Sequence, residues 1–340
     1  MCVRLTDSKR CFVSTQFEDS YSRKYYYLRL SVTEACNFRC TYCLPNGYKP
    51  THKNSEFLSV DELRRVVSAF ANRGTSKVRI TGGEPSLRKD FIDILAMISE
   101  QEGIKKVAMT TNGYSLAKNV HRWRDAGLTD INVSVDSLDP RIFHQITGVS
   151  KLYNIMNGID TAFEVGFSQV KVNVVLLKDL NNGDLPAFLK WIQYKPIQLR
   201  FIELMQTGEM HSLFSRHHQS GVSIHNYLVS NGWLMKVKKH SDGPAEVFYN
   251  PNYVGEIGLI MPYKKDFCDS CNRLRVSALG QLHMCLFGDF GIDLRDLLQE
   301  DRQKNALISR IQDHVSNKKK SHFLDQGYTG VTSNLASIGG

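Results

Sequence analysis

Apolar and polar residues along the first two hundred positions switch repeatedly between two periods. Short runs with a period of two, rich in branched and aromatic residues, predict strands, whereas apolar residues three and four apart predict helices. The predicted strands cover residues 25–32, 77–81, 106–109, 131–135, 169–177 and 198–204. Because strands and helices alternate six times, the pattern predicts a parallel sheet of right-handed β–α units.

The helix that follows the first strand has the clearest boundaries. Ser59 and Glu62 form a capping box, in which each side chain accepts a hydrogen bond from a free backbone N–H. Gly74 ends this helix. The apolar positions that predict this helix and the four that follow are Leu63, Val66, Val67, Phe70; Phe91, Ile94, Leu95, Ile98; Leu116, Val120, Trp123; Ile155, Ile159, Ala162, Phe163; and Phe188, Ile192.

Beyond residue 206 the pattern becomes irregular. Short strands are predicted at 233–238, 245–249, 255–261 and 274–286, antiparallel to one another and packed beside the barrel, with helical segments from 294 to about 320. A chain of 340 residues accommodates one barrel-sized domain and a smaller appendage. The predicted organisation is an arm (1–24), a partial barrel (25–206), a C-terminal domain (207–330) and a flexible tail (331–340).

Composition limits the classes of function. The polar residues 1–10 predict no signal peptide, and no apolar run approaches the ~20 residues that span a bilayer. We therefore expect a cytoplasmic protein without membrane association, in which eight cysteines favour metal or redox chemistry over disulfides. The net charge of +9 suits an anionic ligand, although a solvated basic surface would also explain it. The basic run 318–320 is short and lacks aromatic residues, so nucleic-acid binding is not favoured.

Three cysteines lie together after the first predicted strand. Cys36, Cys40 and Cys43 are spaced by three and two residues, with Phe38 and Tyr42 between them. Three thiolates leave one iron of a four-iron cluster free, and an open coordination position is typical of a catalytic site. A zinc site completed from elsewhere, or buried thiols without metal, would also fit the spacing.

A second group of three cysteines occurs in the C-terminal part. Cys268, Cys271 and Cys285 have no obvious fourth ligand, so either a zinc ribbon or a second cluster with an open iron is compatible with them. Arg273 and Arg275 follow closely, and strand alternation places both on one face. Guanidinium groups suit phosphate recognition, although two solvated arginines would show the same pattern.

Polar groups also follow or occupy the predicted barrel strands, where barrels of parallel strands collect their functional residues. Arg29, Arg79 and Lys171 are unusual within strands of an apolar barrel, and they predict a bound polyanion. The polar stretches at the strand ends are 81–85, 110–113, 134–136, 171–173 and 200–205. No G-x4-G-K-[ST] motif occurs, so a nucleotide would be bound without a P-loop.

The cysteine loop with its aromatic residue resembles the signature of radical S-adenosylmethionine enzymes. With the second cysteine set and the terminal Gly-Gly, residues 29–340 resemble the GTP 3′,8-cyclases of molybdenum cofactor biosynthesis. The resemblance implies an α/β fold, an incomplete (β/α)6 barrel whose open side is closed by a C-terminal α+β domain. It also implies two [4Fe-4S] clusters, on Cys36, Cys40 and Cys43 and on Cys268, Cys271 and Cys285. This chain has Glu34-Ala35 where the family often has Asp-Arg.

The resemblance also assigns roles to other residues. Those implied to contact S-adenosylmethionine are Tyr42, Gly83, Ser134, Arg200 and Met205. Those implied to contact GTP are Arg29, Arg79, Thr110, Lys171, Arg273, Leu274 and Arg275. The implied catalytic set is Cys36, Cys40, Cys43, Arg273, Arg275, Gly339 and Gly340, since the family's tail reaches toward the active site. Cys2 and Cys11 belong to neither set and are expected to be ordinary thiols.

The implied reaction is a lyase reaction. A 5′-deoxyadenosyl radical removes hydrogen from C3′ of GTP, and C3′ then bonds to guanine C8. The implied partners are a flavodoxin-like or ferredoxin-like reductant and the cyclic pyranopterin monophosphate synthase that uses the product, and a homodimer is left open. Two alternatives remain: a peptide-modifying radical enzyme with auxiliary clusters, which usually has more C-terminal cysteines, and a zinc-containing nucleic-acid binder.

Overall fold

The computed structural model describes residues 16–50, 56–208, 210–238, 242–288, 290–330 and 335–339. Its strands form one twelve-stranded sheet in the order β12-β11-β10-β1-β2-β3-β4-β5-β6-β9-β8-β7. The strands are β1 Tyr27–Ser31, β2 Lys77–Thr81, β3 Lys106–Thr111, β4 Asp130–Ser134, β5 Val170–Leu176, β6 Ile197–Glu203, β7 Leu234–Met235, β8 Glu246–Tyr249, β9 Glu256–Ile260, β10 Arg273–Val276, β11 Gln281–His283 and β12 Ile292–Asp293.

The helices connect and flank these strands. In the described part of the chain they are α1 Val60–Ala71, α2 Phe91–Ser99, α3 Leu116–Asp125, α4 Pro140–Thr147, α5 Leu152–Glu164, α6 Leu185–Ile192, α7 His211–His217, α8 Val222–Ser230 and α9 Lys304–Ser316. The capping box at Ser59 and Glu62 begins α1 as predicted. No helix within the described ranges combines the length and the apolar character needed to cross a bilayer.

Strands β1 to β6 are neighbours in chain order and pair in parallel, which confirms the predicted barrel of β–α units. Strand β5 shows how it is built. Val170, Val172 and Val174 are buried in the hydrophobic core, whereas Lys171 and Asn173 alternate with them on the opposite face. Since that face is the inside of the barrel, the interior is polar, as a ligand pocket requires.

The C-terminal strands were predicted to be antiparallel and separate from the barrel, and this was wrong for two of them. Strand β9 pairs in parallel with β6, and β10 pairs in parallel with β1. Only the outer pairs, β7 with β8, β8 with β9, β10 with β11 and β11 with β12, are antiparallel. The C-terminal part therefore extends both edges of the incomplete barrel and flanks its open side.

Two local predictions also need correction. The strand predicted at 274–286 is a hairpin, β10 and β11, because Gly280 adopts a left-handed φ of 86° in the turn between them. Helix α4 was not predicted, although Asp139 caps its N-terminus, Pro140 begins it and Gly148 ends it with a φ of 73°. These helix signals are specific and could have predicted α4 from the sequence.

Both ends of the chain pack against the molecule where they are described. Phe17 of the arm is buried and contacts Phe70 of α1 edge to face, with ring centroids 5.3 Å apart. The tail was predicted to be flexible, yet Ala336 and Ile338 are buried, and Ile338 packs in a small cluster with Leu286. The positions Cys2, Cys11 and Gly340 lie outside the described residues.

Candidate active site

The first cysteine loop leaves β1 and is held against α4. The N–H groups of Arg39 and Thr41 donate to the carbonyls of Thr147 and Ile146, at 3.1 and 2.9 Å. Cys43 donates its N–H to the Cys40 carbonyl at 3.0 Å, which closes a tight turn. The loop therefore depends on α4, the helix that sequence reasoning missed.

The three thiols of this loop influence one another. Burial raises the pKa of Cys36 to about 11 and that of Cys43 to about 12. The pKa of Cys40 is raised by burial, by Asp136 and by the other two cysteines. In the described residues no three His, Cys, Asp or Glu side chains are placed to hold a single metal ion. A four-iron cluster makes a different demand, because each thiolate ligates a different iron, and such ligation deprotonates thiols.

Tyr42 points from the cysteine loop into the end of the barrel. Its hydroxyl donates to Asp136 Oδ2 at 2.7 Å, and the N–H of Val175 donates to Asp136 Oδ1 at 2.9 Å. Burial raises the pKa of Asp136 to about 6, although both hydrogen bonds favour its charged form. Asp136 thus links the cysteine loop to β5. From the sequence, Asp136 was recognised only as a polar residue after β4.

The loop after β2 lies directly against the cysteine loop. The N–H groups of Gly83 and Glu84 donate to the carbonyls of Thr33 and Ala35, at 3.0 and 2.7 Å. An added Cβ at Gly83 would lie 2.3 Å from the Ala35 oxygen, so only glycine fits. The buried Glu84 carboxylate accepts from the Asn112 N–H at 2.7 Å. The ends of β1, β2 and β3 are therefore fixed to one another.

Inside the barrel, Arg79 connects three strands. Its Nε donates to the Tyr27 hydroxyl, and its Nη1 donates to the carbonyl of Met109 at 3.1 Å and to Thr110 Oγ1 at 3.4 Å. Arg29 pairs in register with Arg79 on one side and with Arg275 on the other. The structure thus brings together three arginines and Thr110, four of the residues that the resemblance assigns to GTP.

The cations of the barrel repel one another in a buried space. Burial and then the charge of Arg79 lower the pKa of Arg200 to about 9, and burial and then Arg273 lower that of Arg275 to about 10. The pKa of Arg29 is lowered by burial and by Arg275. A buried group of like charges is costly unless an opposite charge compensates it, which favours an anionic ligand here.

One member of this group, Lys77, was not recognised from the sequence. Lys77, two residues before Arg79, faces the same interior, and its pKa is lowered to about 8 by burial and by Arg79, against an opposing effect of Tyr27. Its Nζ lies 4.8 Å from the centroid of the Tyr27 ring. The signal that could have found Lys77 was its spacing from Arg79, which puts both on one strand face.

Other predicted residues are distributed around this interior. Lys171 forms an ion pair with Asp130, with 3.1 Å between Nζ and Oδ1. Ser134 is half-buried and pairs in register with Asn173. Met205 packs beside the small cluster of the tail. Leu274 is the exception, because its side chain lies in the hydrophobic core, so only its backbone is available to a ligand.

Several inward-facing polar atoms are buried with no hydrogen-bond partner among the residues that the structure describes. They are Thr81 Oγ1, Asn132 Oδ1, Asn173 Oδ1 and Arg200 Nε. Buried polar groups are normally satisfied, so unpaired ones that share a barrel interior indicate a polar ligand. Their mixture of donors and acceptors fits a nucleotide better than an inorganic anion.

The second cysteine set lies beside β10. The pKa of Cys268 is raised by burial, and Cys271 and Cys285 both contribute to that shift. The pKa of Cys271 is lowered to about 6, because the charges of Lys318 and Arg273 outweigh burial. These three thiols, like the first three, therefore lie within electrostatic reach of one another.

The tail bridges the two sites. The guanidinium of Arg275 donates through Nη1 to the Gly339 carbonyl at 2.5 Å and to the Ile338 carbonyl at 3.3 Å. Gly339 has a left-handed φ of 67°, and an added Cβ would lie 1.9 Å from Thr81 Oγ1. Backbone hydrogen bonds from Leu335 and Ala336 reach the Cys43 thiol. Gly339 therefore lies between Arg275 and Thr81, beside the cations of the barrel.

Comparisons with known proteins agree with this geometry. Residues 30–192 match the family described as the Radical SAM superfamily, and residues 197–324 match the one described as Molybdenum Cofactor Synthesis C. A Vibrio parahaemolyticus protein named GTP 3′,8-cyclase is 69% identical over 333 residues, covering 98% of this chain and 100% of the relative. The chain belongs to the GTP 3′,8-cyclase family. A Klebsiella pneumoniae member of this family is 60% identical over 329 residues, covering 96% of this chain and 100% of that protein.

Solved structures confirm the fold of this GTP 3′,8-cyclase family member. Streptococcus suis SuiB bound to S-adenosylmethionine matches with a TM-score of 0.60 over 85% of this chain and 69% of SuiB, at 12% identity. A second crystal structure of Streptococcus suis SuiB matches with a TM-score of 0.55. At this identity the likeness concerns the fold alone, and it confirms the predicted radical S-adenosylmethionine barrel.

Proposed function

We propose that the chain converts GTP to (8S)-3′,8-cyclo-7,8-dihydroguanosine 5′-triphosphate, the first step of molybdenum cofactor biosynthesis, with the triphosphate inside the barrel. The observation that carries this proposal is a group of buried and half-buried cations, Lys77, Arg79, Arg200 and Arg275. The pKa values of Lys77, Arg200 and Arg275 are lowered, and Arg79 bridges neighbouring strands. A bound triphosphate would compensate their charge and use the unpaired atoms beside them.

Cys36, Cys40 and Cys43 would hold the first [4Fe-4S] cluster, beside which S-adenosylmethionine would bind. When bound, these cofactors supply the 5′-deoxyadenosyl radical that removes the C3′ hydrogen. The chain positions them: α4 holds the cysteine loop, and Gly83 brings the loop after β2 within backbone contact of it. Tyr42, Ser134 and Met205 lie around this end of the barrel and are proposed to contact the methionine and ribose parts.

Cys268, Cys271 and Cys285 would hold the second [4Fe-4S] cluster, next to the guanine base. Arg273 and Arg275 extend from this site into the barrel, so that one ligand can contact both the second cysteine set and the barrel cations. The chain's main contribution to the cyclisation would be to hold the ribose between the second cysteine set and the barrel cations. A fixed approach of C3′ to C8 then replaces a conformational search.

Arg200 was assigned to the S-adenosylmethionine side, but its electrostatic neighbours are Arg79 and Tyr27. We therefore propose that it also faces the triphosphate. Lys171 would reach the ligand from the opposite strand, with Asp130 holding its ammonium in place.

The remaining partners follow from the proposed reaction. The radical chemistry needs a one-electron donor, for which a flavodoxin-like or ferredoxin-like protein is proposed. The product would pass to cyclic pyranopterin monophosphate synthase. A cytoplasmic location suits both, since GTP and these proteins occur there, and a homodimer is compatible with the proposal.

The decisive experiment is an anaerobic incubation of reconstituted protein with S-adenosylmethionine, dithionite and either GTP or ATP, followed by mass analysis. We expect 5′-deoxyadenosine and the cyclised nucleotide together, and only with GTP. Cleavage of S-adenosylmethionine with unchanged GTP would contradict the assignment of the substrate but not the radical chemistry.

Substitution of Lys77 tests the location of the triphosphate. Lys77→Gln is expected to raise the KM for GTP about tenfold or more, because it removes a charged partner worth about 1.5–3 kcal/mol. Lys106, the register partner of Lys77 on β3, is exposed, so Lys106→Gln is a matched control. Equal KM values for the two variants would contradict the proposed location.

A further inference from the structure

Lys318 belongs to a short basic run that follows α9 in the sequence. In the folded chain it lies beside the second cysteine set. Its Nζ is 3.4 Å from Cys271 Sγ and 3.3 Å from the Arg273 carbonyl oxygen, and it lies 4.5 Å from the centroid of the Tyr25 ring. Only 6% of the residue is exposed. Its neighbour Lys319 is exposed at the surface, with its Nζ over the Tyr328 ring.

The surroundings of this ammonium are unusual for a buried charge. Within the described residues no carboxylate pairs with Lys318, and the other charged side chains that act on Cys271 beside it, Arg273 and Arg23, are cationic. A buried charge is costly unless an opposite charge or good hydrogen bonds compensate it. Of the groups that Nζ contacts, the Cys271 sulfur is the one that carries a negative charge when it ligates a metal.

Arg23 of the N-terminal arm holds this arrangement from the other side. Its Nη1 donates to the Cys268 carbonyl at 3.1 Å and to the Lys320 carbonyl at 2.7 Å, and its Nη2 donates to the Lys319 carbonyl at 2.8 Å. The buried Asp19 carboxylate fixes its Nε at 2.6 Å. Arg23 thereby joins the segment that carries Lys318 to the loop that carries Cys268.

We propose that Lys318 is a positioning residue of the second cluster. The ammonium of Lys318 donates to the Cys271 sulfur and favours the reduced state of the cluster. The inference rests on the assignment of Cys268, Cys271 and Cys285 as cluster ligands. Hydrogen bonds to ligand sulfurs and the local net charge set the reduction potentials of iron–sulfur clusters. A fixed positive charge stabilises the form with one more electron, so it raises the potential.

The test uses the full-length chain with Cys36→Ser, Cys40→Ser and Cys43→Ser, reconstituted anaerobically with iron and sulfide so that only the second set is available. Electron paramagnetic resonance during a redox titration then gives the midpoint potential. In this background Lys318→Met is expected to lower the ratio of reduced to oxidised cluster about tenfold at a fixed potential, which is 59 mV for one electron. Lys319→Met is the matched control and is expected to keep the parent midpoint.

Two more variants separate the charge from the packing. Lys318→Arg retains a cationic donor and should stay close to the parent midpoint, whereas Lys318→Gln retains a neutral donor and should fall between the parent and Lys318→Met. If Lys318→Met loses iron while Lys318→Arg and Lys319→Met retain it, the positioning role is supported. Loss of an outer ligand partner typically weakens metal binding 10- to 100-fold.

The outcomes distinguish the role of Lys318 from the assignment of Cys268, Cys271 and Cys285 as cluster ligands, on which it rests. A triple serine protein that takes up no iron would overturn the ligand assignment, and the role of Lys318 with it. Iron uptake with the same midpoint in the parent, Lys318→Met and Lys318→Gln proteins would overturn the role of Lys318 alone.

Discussion

Tyr27 shows how strongly a single residue responds to the charges inside the barrel. Burial alone would raise the pKa of its phenol, yet the cations Arg79, Arg29 and Lys77 lower that pKa to about 7. The phenol, which accepts a hydrogen bond from Arg79, therefore titrates near neutral pH because of these cations. When ionised, it adds a negative charge where we propose that a triphosphate binds.

This charge predicts a pH dependence of GTP binding. Above about pH 7 the folded protein carries the phenolate, which repels the triphosphate, so affinity should fall by about tenfold between pH 6 and 8. Equilibrium binding of GTP without S-adenosylmethionine measures this. Tyr27→Phe keeps the ring over Lys77 but cannot ionise, and its affinity should change less over the same range. Parallel curves for the two proteins would refute the role of the phenolate.

Gly339 gives a second prediction at this scale. Gly339→Ala places a Cβ 1.9 Å from Thr81 Oγ1 in a left-handed conformation, so the tail should leave the site and kcat should fall at least about tenfold. Gly327 has a φ of 80° with nothing within 4 Å of an added Cβ. Gly327→Ala therefore has the same backbone strain, about 1 kcal/mol, without the clash. Steady-state turnover and thermal unfolding of both variants decide whether the clash matters.

At the scale of elements, what the sequence predicted well depends on local spacing. The parallel strands follow from alternation within each segment, and the cysteine loop follows from C-x3-C-x2-C. What it missed depends on distant parts of the chain. The parallel pairing of β10 with β1 joins residues 246 positions apart, such as Tyr27 and Arg273, and no local pattern specifies it. In the sequence Lys318 is part of a short basic run, and only the folded chain brings it to Cys271.

The contact between two elements, the loop after β2 and the cysteine loop, gives the third prediction. Gly83→Ala would force the Ala35 carbonyl away, since its Cβ would lie 2.3 Å from that oxygen. We expect the loops to separate and affinity for S-adenosylmethionine to fall about tenfold or more, by analogy with other losses of outer-shell support. Calorimetric binding to the reconstituted protein measures it.

Gly183 provides the control for that variant. An added Cβ there meets nothing within 4 Å, and its backbone is not left-handed, so Gly183→Ala should bind S-adenosylmethionine normally. Normal binding by Gly83→Ala, with normal iron content, would show that the close approach of the two loops is not needed for the cofactor site.

At the scale of the whole molecule, the described parts of the arm (16–24) and of the tail (335–339) both pack against the barrel. The arm reaches the second cysteine set through Arg23, which contacts the Cys268 carbonyl. The tail reaches the first set through Leu335, whose backbone contacts Cys43, and the carbonyl of Gly339 accepts a hydrogen bond from Arg275. The cations enclosed between these ends oppose closure as long as they repel one another. A polyanion that binds them should therefore stabilise the entire fold, not only the residues that it touches.

The fourth prediction is that thermal stability rises with the number of phosphates on the ligand. Ligand at 100 times its Kd stabilises the native state by about 2.7 kcal/mol, so at equal concentration the tighter-binding nucleotide gives the larger shift in Tm. We expect GTP to exceed GDP, GDP to exceed GMP and guanosine to have the smallest effect, each measured anaerobically without S-adenosylmethionine. Because the barrel cations are buried, moderate salt should reduce the GTP shift only partly. Equal shifts for GTP and guanosine would mean that the base alone is recognised and that the buried cations serve another purpose.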